Sequence, residues 1–277
     1  MSEADVIARC NHGPVTRDSL YKDLINLGVR PGMTLIVHSS LSSLGWVCGS
    51  AAAVVLALQD VLGEQGTLVM PAHSGDLSDP AEWSLPPVPA DWIEIIRQNM
   101  PAYDPRLTPT RGMGAIVDTF LKQTDVLRSD HPQLSFGARG PLARQITSNH
   151  DLVSSLGEQS PLARLYDLDA WVLLLGVTHE NNTSLHLCEH RAIYETKAIV
   201  RRGTPMLVNG QRQWVWFEGV KEDADDFDRL GMDFERETNH VTIKTVGYAQ
   251  ARLMRQRPLV DYGVQWMQKN RIAVKSE

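Results

Sequence analysis

The sequence predicts an α/β protein built on a mixed sheet, and three observations carry that prediction. The first is a strand, helix, strand pattern near the N-terminus, in which residues 34–37 and 67–70 flank a helical run over 51–62. Connections of this length make a βαβ unit, whose two strands run parallel. The second is the run 171–175, Trp-Val-Leu-Leu-Leu, which stops at Gly176. Five apolar residues without alternation suit a strand buried on both faces of a sheet. The third is Asn209-Gly210, flanked by Ala198-Ile199-Val200 and Gln213-Trp214-Val215-Trp216. That dipeptide is a strong hairpin signal and calls for antiparallel pairing, so the sheet content is mixed.

The remaining elements follow in order. Thr16 caps a predicted helix in which Leu20, Tyr21, Leu24 and Leu27 share one face, and Gly28 ends it. Pro31-Gly32 turns the chain into the strand at 34–37, and His38 to Gly45 is rich in small polar residues. Between Pro71 and Pro109 eight prolines interrupt any long element, leaving room for one short helix over 91–99 with Trp92, Ile95 and Ile96 facing inward. Stretches of this kind inside a compact domain tend to be lids or binding loops. A helix is predicted over 115–122 after Thr110-Arg111-Gly112-Met113-Gly114. Past Gly176, a polar connection reaches Thr183 or Ser184 as the expected N-cap of a helix whose first two turns carry His186, Glu189 and His190. An acidic run occupies 222–228. The whole of 1–277 reads as a single domain with a Pro-rich insertion at 72–109.

Composition narrows the function. The chain has 277 residues, 43% hydrophobic and 22% charged, enough to bury a large core. Its net charge of -6 argues against nucleic acid as the main partner, because phosphate binding wants a basic footprint. No apolar run is long enough for a membrane span, and the N-terminus lacks the basic-then-apolar pattern of a signal peptide. Cys10, Cys48 and Cys188 form no C-x-x-C pair and read as reduced thiols. These features together lead us to expect a cytoplasmic protein.

Three constellations can carry chemistry. His186-Leu187-Cys188-Glu189-His190 matches H-x-x-E-H, in which two imidazoles one helical turn apart ligate zinc and the glutamate serves as base, so a zinc-dependent hydrolase is one reading. The bland alternative is a pair of helix-surface histidines. Ser39, Ser40, Ser42 and Ser43 lie between a strand and a helix, where open N–H groups and hydroxyls favour a phosphate, or simply cap the helix. Glycines around Arg111 either let a ligand approach the backbone or make turns.

These pieces, read together, resemble the aminoglycoside 3-N-acetyltransferases, the antibiotic N-acetyltransferase family distinct from the GNAT fold. The matching segments are V-H-S-S-L-S-S-L-G-W at 37–46, G-T-L-V-M-P at 66–71 and T-P-T-R-G-M-G at 108–114. They continue with R-S-D-H-P at 128–132, G-E-Q-S-P-L at 157–162, L-L-L-G-V at 173–177 and N-T-S-L-H-L-C-E at 182–189. Their order spans nearly the whole chain, and D-L-S-D-P-A-E-W-S-L-P-P-V-P at 76–89 is most similar to the Bacillus-type branch. The resemblance implies a three-layer α/β/α fold with a mixed central sheet. It also implies acetyl transfer from acetyl-CoA to a small cationic amine, such as the 3-amino group of an aminoglycoside, with no metal. A homodimer is an assembly open to such a chain.

Carried over position by position, the resemblance implies His186 as general base. Either Asp223 or Glu189 would be the acid that orients it; the family's acid-Tyr-Asp segment is Asp223-Ala224-Asp225 here, with alanine in place of tyrosine. His38, Ser39, Ser40, Leu41, Ser42 and Ser43, with Thr110, Arg111 and Met113, match segments that line the CoA site, and His190 is left to the helix surface. Asp76, Asp79 and Glu82 in the insertion are the expected contacts to a cationic acceptor. The chemistry agrees with these residue types. An ammonium has no lone pair, so the amine must lose a proton before attacking a thioester, and a histidine suits that task at neutral pH.

Overall fold

The computed structural model describes residues 3–272; Met1 and Ser2, part of the N-terminal signal reading, lie outside them. In chain order the elements are α1 (Glu3–Ala8), α2 (Arg17–Leu27), β1 (Thr34–Ser39), α3 (Ser50–Leu62), β2 (Thr67–Pro71), α4 (Trp92–Asn99) and α5 (Ala115–Leu121). Next come β3 (Leu127–Arg128), β4 (Phe136–Arg139), α6 (Ala143–Thr147), α7 (Pro161–Asp167), β5 (Trp171–Leu175) and α8 (His186–Arg191). The chain finishes with β6 (Ile199–Val208), β7 (Gln211–Val220), α9 (Phe227–Glu237), β8 (Val241–Val246), β9 (Ala249–Arg255) and α10 (Gln256–Asn270).

Seven strands form one sheet in the order β3-β4-β2-β1-β5-β9-β8. The central strands β2, β1 and β5 are parallel, and antiparallel strands extend the sheet on both sides. Val172 and Leu174 of β5 point to one face with Ile36, and Leu173 and Leu175 to the other with Val37. That two-sided burial is why the strand carries no polar alternation. One helical layer brings α2, α3 and α5 onto the Leu173 face; α6 to α10 cover the Leu174 face. The architecture is therefore three-layered with a mixed sheet, as the sequence implied. No helix among the described residues is long and apolar enough to cross a membrane.

Several expectations need correction. β1 runs two residues beyond the apolar stretch, through His38 and Ser39, because both still pair with β5. Tyr21 is 40% exposed and off the buried face of α2, whereas Leu20, Leu24 and Leu27 are buried. The Trp92 and Ile95 side chains of α4 are exposed, and that helix buries no residue. Thr183 and Ser184 do not cap α8: they lie in a 3-10 turn over Thr183–Leu185 that feeds it. The hairpin strands β6 and β7 are ten residues each and form a separate ribbon, turning at Asn209 and Gly210, both with positive φ. Two successive left-handed residues are what a two-residue type I′ turn demands.

Candidate active site

The topology itself selects a crevice. β1 and β5 are adjacent and parallel, yet β1 is followed by α3 on one face of the sheet and β5 by α8 on the other. In open α/β sheets such a switch point opens a cleft outside the carboxyl ends of the two strands. Gly176 ends β5 with a positive φ of 76°, and a Cβ there would lie 2.8 Å from that of Ser43, so only glycine lets the serine loop cross the strand end.

A cavity of about 920 Å³ opens at this point. Its walls come from Ser39 to Ser42, Gly45 to Val47, Gly112 to Ile116, Val177 and Asn181, with Glu3 and Val6 of α1 at one side. Among the described residues, no lysine, arginine or histidine lines it. Positive potential comes instead from the N-termini of α3 and α5, whose N-cap residues Gly49 and Gly114 make no side-chain cap bond. An inner chamber of about 90 Å³ shares Ser39, Gly112, Met113, Val177 and Asn181 with the large cavity and adds His38 and Thr183.

The predicted CoA residues divide here. Ser39, Ser40, Leu41, Ser42 and Met113 line the large cavity, and His38 lines the inner chamber. Ser43 is tied into the loop, donating to Ser40 Oγ at 2.9 Å. Thr110 and Arg111 line neither cavity: Thr110 Oγ1 donates to Asp118 at 2.6 Å, and Arg111 pairs with Asp76. Asp79 is also committed to structure. It is buried, accepts from Arg97 Nε at 3.0 Å and Nη2 at 2.8 Å, and caps the Ala81 N–H. Glu82 lines a second cleft of about 360 Å³, together with Ser78, Gln133, Arg202, Lys221 and Glu222.

His186 begins α8 directly after the 3-10 segment, and Glu189 follows at i+3 on the same side of the helix. The Glu189 Oε2 accepts from His186 Nδ1. Its Oε1 accepts from Arg271 Nη1 at 2.6 Å and from the Asp223 N–H at 2.9 Å. Glu189 is fully buried, so a carboxylate here is tolerable only because three donors, one of them a guanidinium, surround it. Arg271, just past α10, is itself anchored by Asp226 at 2.6 Å and by the Asp223 carbonyl at 2.7 Å. Of the two acids, Glu189 meets His186, and Asp223 contributes its main chain. The exposed Asp223 carboxylate accepts from the Asp225 N–H at 2.9 Å.

Glu222, which the sequence reading passed over within its acidic run, faces the same region. Burial alone would raise its carboxyl, but His190, Arg202 and His186 outweigh that and hold it down to about 2. Ser155 Oγ donates to it at 3.0 Å, and Arg202 pairs with it. His190 Nε2 stands 3.7 Å from Glu222, within ion-pair but not hydrogen-bond reach, and its side chain is 9% exposed, so it is not a helix-surface residue. Since His186 turns to Glu189 and His190 to Glu222, the two rings do not share a zinc ligand set. No group of three or more His, Cys, Asp or Glu among the described residues is arranged to hold a metal ion.

Two further imidazoles border His186. Burial first, and then the charge of His186, push both His38 and His73 down to about 3. The Nε2 atom of each is buried without a hydrogen-bond partner among the described residues. A third feature missed from sequence is Arg271, 82 residues beyond Glu189. A lone arginine near a chain end gives no periodic or spacing signal, whereas the i, i+3 relation of His186 and Glu189 was legible.

Comparisons with known proteins identify the family. The model of the family described as Aminoglycoside 3-N-acetyltransferase matches residues 36–268. The SPbeta prophage-derived aminoglycoside N(3')-acetyltransferase-like protein YokD of Bacillus subtilis is 46% identical over 93% of this chain and 94% of its own length. The YokD crystal structure superposes with a TM-score of 0.94 over 96% of this chain and 98% of that one. Aminoglycoside N(3)-acetyltransferase VII of Streptomyces paromomycinus is 35% identical over 97% of this chain and 96% of its own. The structure of AAC-IIIb binary with CoASH aligns at a TM-score of 0.83 and 28% identity, covering 95% of this chain and all of that one.

Proposed function

Because the chain belongs to the aminoglycoside 3-N-acetyltransferase family, acyltransferases whose cosubstrate is acetyl-CoA, we propose that it acetylates the 3-amino group of an aminoglycoside by direct attack, with His186 as general base. The observation that carries this reading is the buried Glu189, held by Arg271 and the Asp223 N–H, with its second oxygen on His186 Nδ1. A carboxylate on Nδ1 fixes the proton there, leaves the Nε2 lone pair free, and stabilises the imidazolium formed when Nε2 takes a proton.

The step balances without a covalent enzyme intermediate. The amine nitrogen bonds to the thioester carbon as its proton passes to His186 Nε2, and the tetrahedral adduct then expels the CoA sulfur. The same proton returns from the imidazolium to the departing thiolate. The serine loop and the uncapped starts of α3 and α5 suit the cosubstrate: main-chain N–H groups and helix dipoles receive phosphate, and the narrowing cavity leads the thioester end toward His38. A relative of this fold bound to CoASH supports CoA as the ligand class.

On the acceptor side, the segment 72–109 and the β6–β7 ribbon supply the second cleft. Glu82 is the carboxylate there that can receive an ammonium group, since Asp79 serves Arg97, Asp76 serves Arg111 and Glu222 serves Arg202. The test is chemical: incubation with acetyl-CoA and an aminoglycoside bearing a free 3-amino group should give a product whose NMR spectrum places the acetyl at that nitrogen. Acetylation at another position, or none across a panel of such compounds, would sink the acceptor assignment.

A further inference from the structure

Acetyl transfer needs a group that receives the charge developing on the thioester oxygen, and the structure presents an unused donor for it. We propose that the Nε2–H of His38 hydrogen-bonds the thioester carbonyl oxygen of acetyl-CoA and the oxyanion that forms from it. The inference rests on the acetyl-CoA reading of the cavity and assigns a catalytic residue within it.

His38 sits at the carboxyl end of β1, its backbone locked opposite Leu174 of β5, so the ring projects from a rigid strand. It lines the chamber of about 90 Å³ that continues from the large cavity through Ser39, Gly112, Met113, Val177 and Asn181. That volume equals roughly three water molecules. It suits the acetyl end of a ligand and excludes a nucleotide. Only 6% of the residue is exposed, and Nε2 has no partner among the described residues. Leaving a buried polar atom unpaired costs about 1–3 kcal/mol, so such an atom calls for a ligand or a functional role.

Direction separates His38 from the other candidates. Along a strand, side chains alternate between faces, so His38 falls on the Ile36 face of β1, where α8 packs, and Ser39 falls on the Val37 face with α3. The carbonyl must come within roughly 3–3.5 Å of an amine activated by His186, which places its oxygen on the His186 side of the strand. Ser39 Oγ also lacks a partner among the described residues and lines both cavities with Met113, but it starts from the Val37 face, opposite the one on which α8 packs. His73 Nε2 lacks one too, yet His73 lines neither chamber.

The charge state fits the task. Burial, His186 and His179 hold the ring neutral at neutral pH, so it donates a hydrogen bond without carrying a charge that would oppose protonation of His186. Neutral imidazole acting as an electrophile has precedent in triosephosphate isomerase, where a histidine is kept uncharged so that it can polarise a carbonyl.

The test compares wild type with His38→Leu and His38→Gln. Glutamine places an amide N–H near the position of Nε2; leucine cannot donate. With the donor gone, His38→Leu should lose about 10²–10³-fold in kcat, and His38→Gln should recover at least about tenfold of that loss. Affinity for CoASH, which has no thioester carbonyl, should stay near the wild-type value by calorimetry in both variants. Isotope-edited infrared spectra of carbonyl-labelled acetyl-CoA should show the bound carbonyl stretch lowered in wild type and restored toward its solution frequency in His38→Leu. Unimpaired turnover of His38→Leu, an unchanged carbonyl band, or a loss of CoASH affinity as large as the loss in kcat would each overturn the assignment while leaving the acetyltransferase reading intact. A wild-type protein that neither binds CoASH nor releases thiol would overturn both.

Discussion

Replacing Glu189 with glutamine tests the His186 network without changing its shape. The wild-type Oε1 receives two donors, Arg271 Nη1 at 2.6 Å and the Asp223 N–H at 2.9 Å. Neither can face an amide NH₂, so the glutamine carbonyl must take the Oε1 position and its NH₂ must point at His186 Nδ1. An N–H aimed at Nδ1 demands a lone pair there, which moves the ring proton to Nε2, the atom that has to accept a proton from the substrate. The analogous carboxylate-to-amide change in a serine protease triad lowers kcat by about 10⁴ with intact geometry. At 1.36 kcal/mol per factor of ten, that is about 5 kcal/mol of transition-state stabilisation. Arg271 keeps Asp226, so folding should suffer by only about 1–3 kcal/mol, the value of a hydrogen bond to a charged partner. The assay is thiol release from acetyl-CoA with saturating acceptor, alongside a denaturation curve. A Glu189→Gln protein that is folded and within about tenfold of wild type would refute the tautomer argument.

Other expectations follow from the same contacts. Arg271→Ala leaves a buried carboxylate without its counter-charge, and should cost about 3–5 kcal/mol and lower Tm by roughly 10 °C by calorimetry; an unchanged Tm would show that Glu189 does not depend on the guanidinium. Acid should weaken the fold well above the carboxylate range. The unfolded His38 and His150 side chains take protons near 6.5 but the folded ones only near 3 and 4, so in that window the unfolded state binds more protons and stability falls as pH falls. Between about pH 7.5 and pH 5 each should cost about 2 kcal/mol, and His38→Gln should lose about that much less than wild type in urea titrations at the two pH values. Glu222 adds a lower window: its carboxylate contributes fully above 4.5 and the contribution disappears as pH falls toward 2. A Glu222→Gln protein with the same acid limb as wild type would contradict that.

How much of this was legible depended on whether a residue's partner lay nearby in sequence. The run 171–175 announced a doubly buried strand because its burial is written in its own composition, and Thr16 and Gly28 bounded α2 by local capping chemistry alone. Glu189 could be placed beside His186 by helical spacing. Apolar spacing misled at α4, where Trp92 and Ile95 form a stripe that no layer covers. In the ribbon, Arg201, Arg202, Gln211 and Arg212 hid strands that extend well past the apolar segments, since a two-stranded element with open faces needs little hydrophobic alternation. Arg271, Glu222 and the commitment of Arg111 to Asp76 were out of reach, because each is set by contacts between segments far apart in the chain. The serine loop was readable as a ligand site only together with the switch between β1 and β5.

The most direct measurement is the rate of CoA thiol release from acetyl-CoA in the presence of an aminoglycoside with a free 3-amino group, for wild type and His186→Ala side by side across pH. With His186 as the base that deprotonates the amine, wild type turns over and the variant loses at least about 10²-fold, with its residual rate rising with pH as the free amine itself becomes available. A His186→Ala enzyme that keeps most of the wild-type rate at neutral pH would contradict the account at its centre.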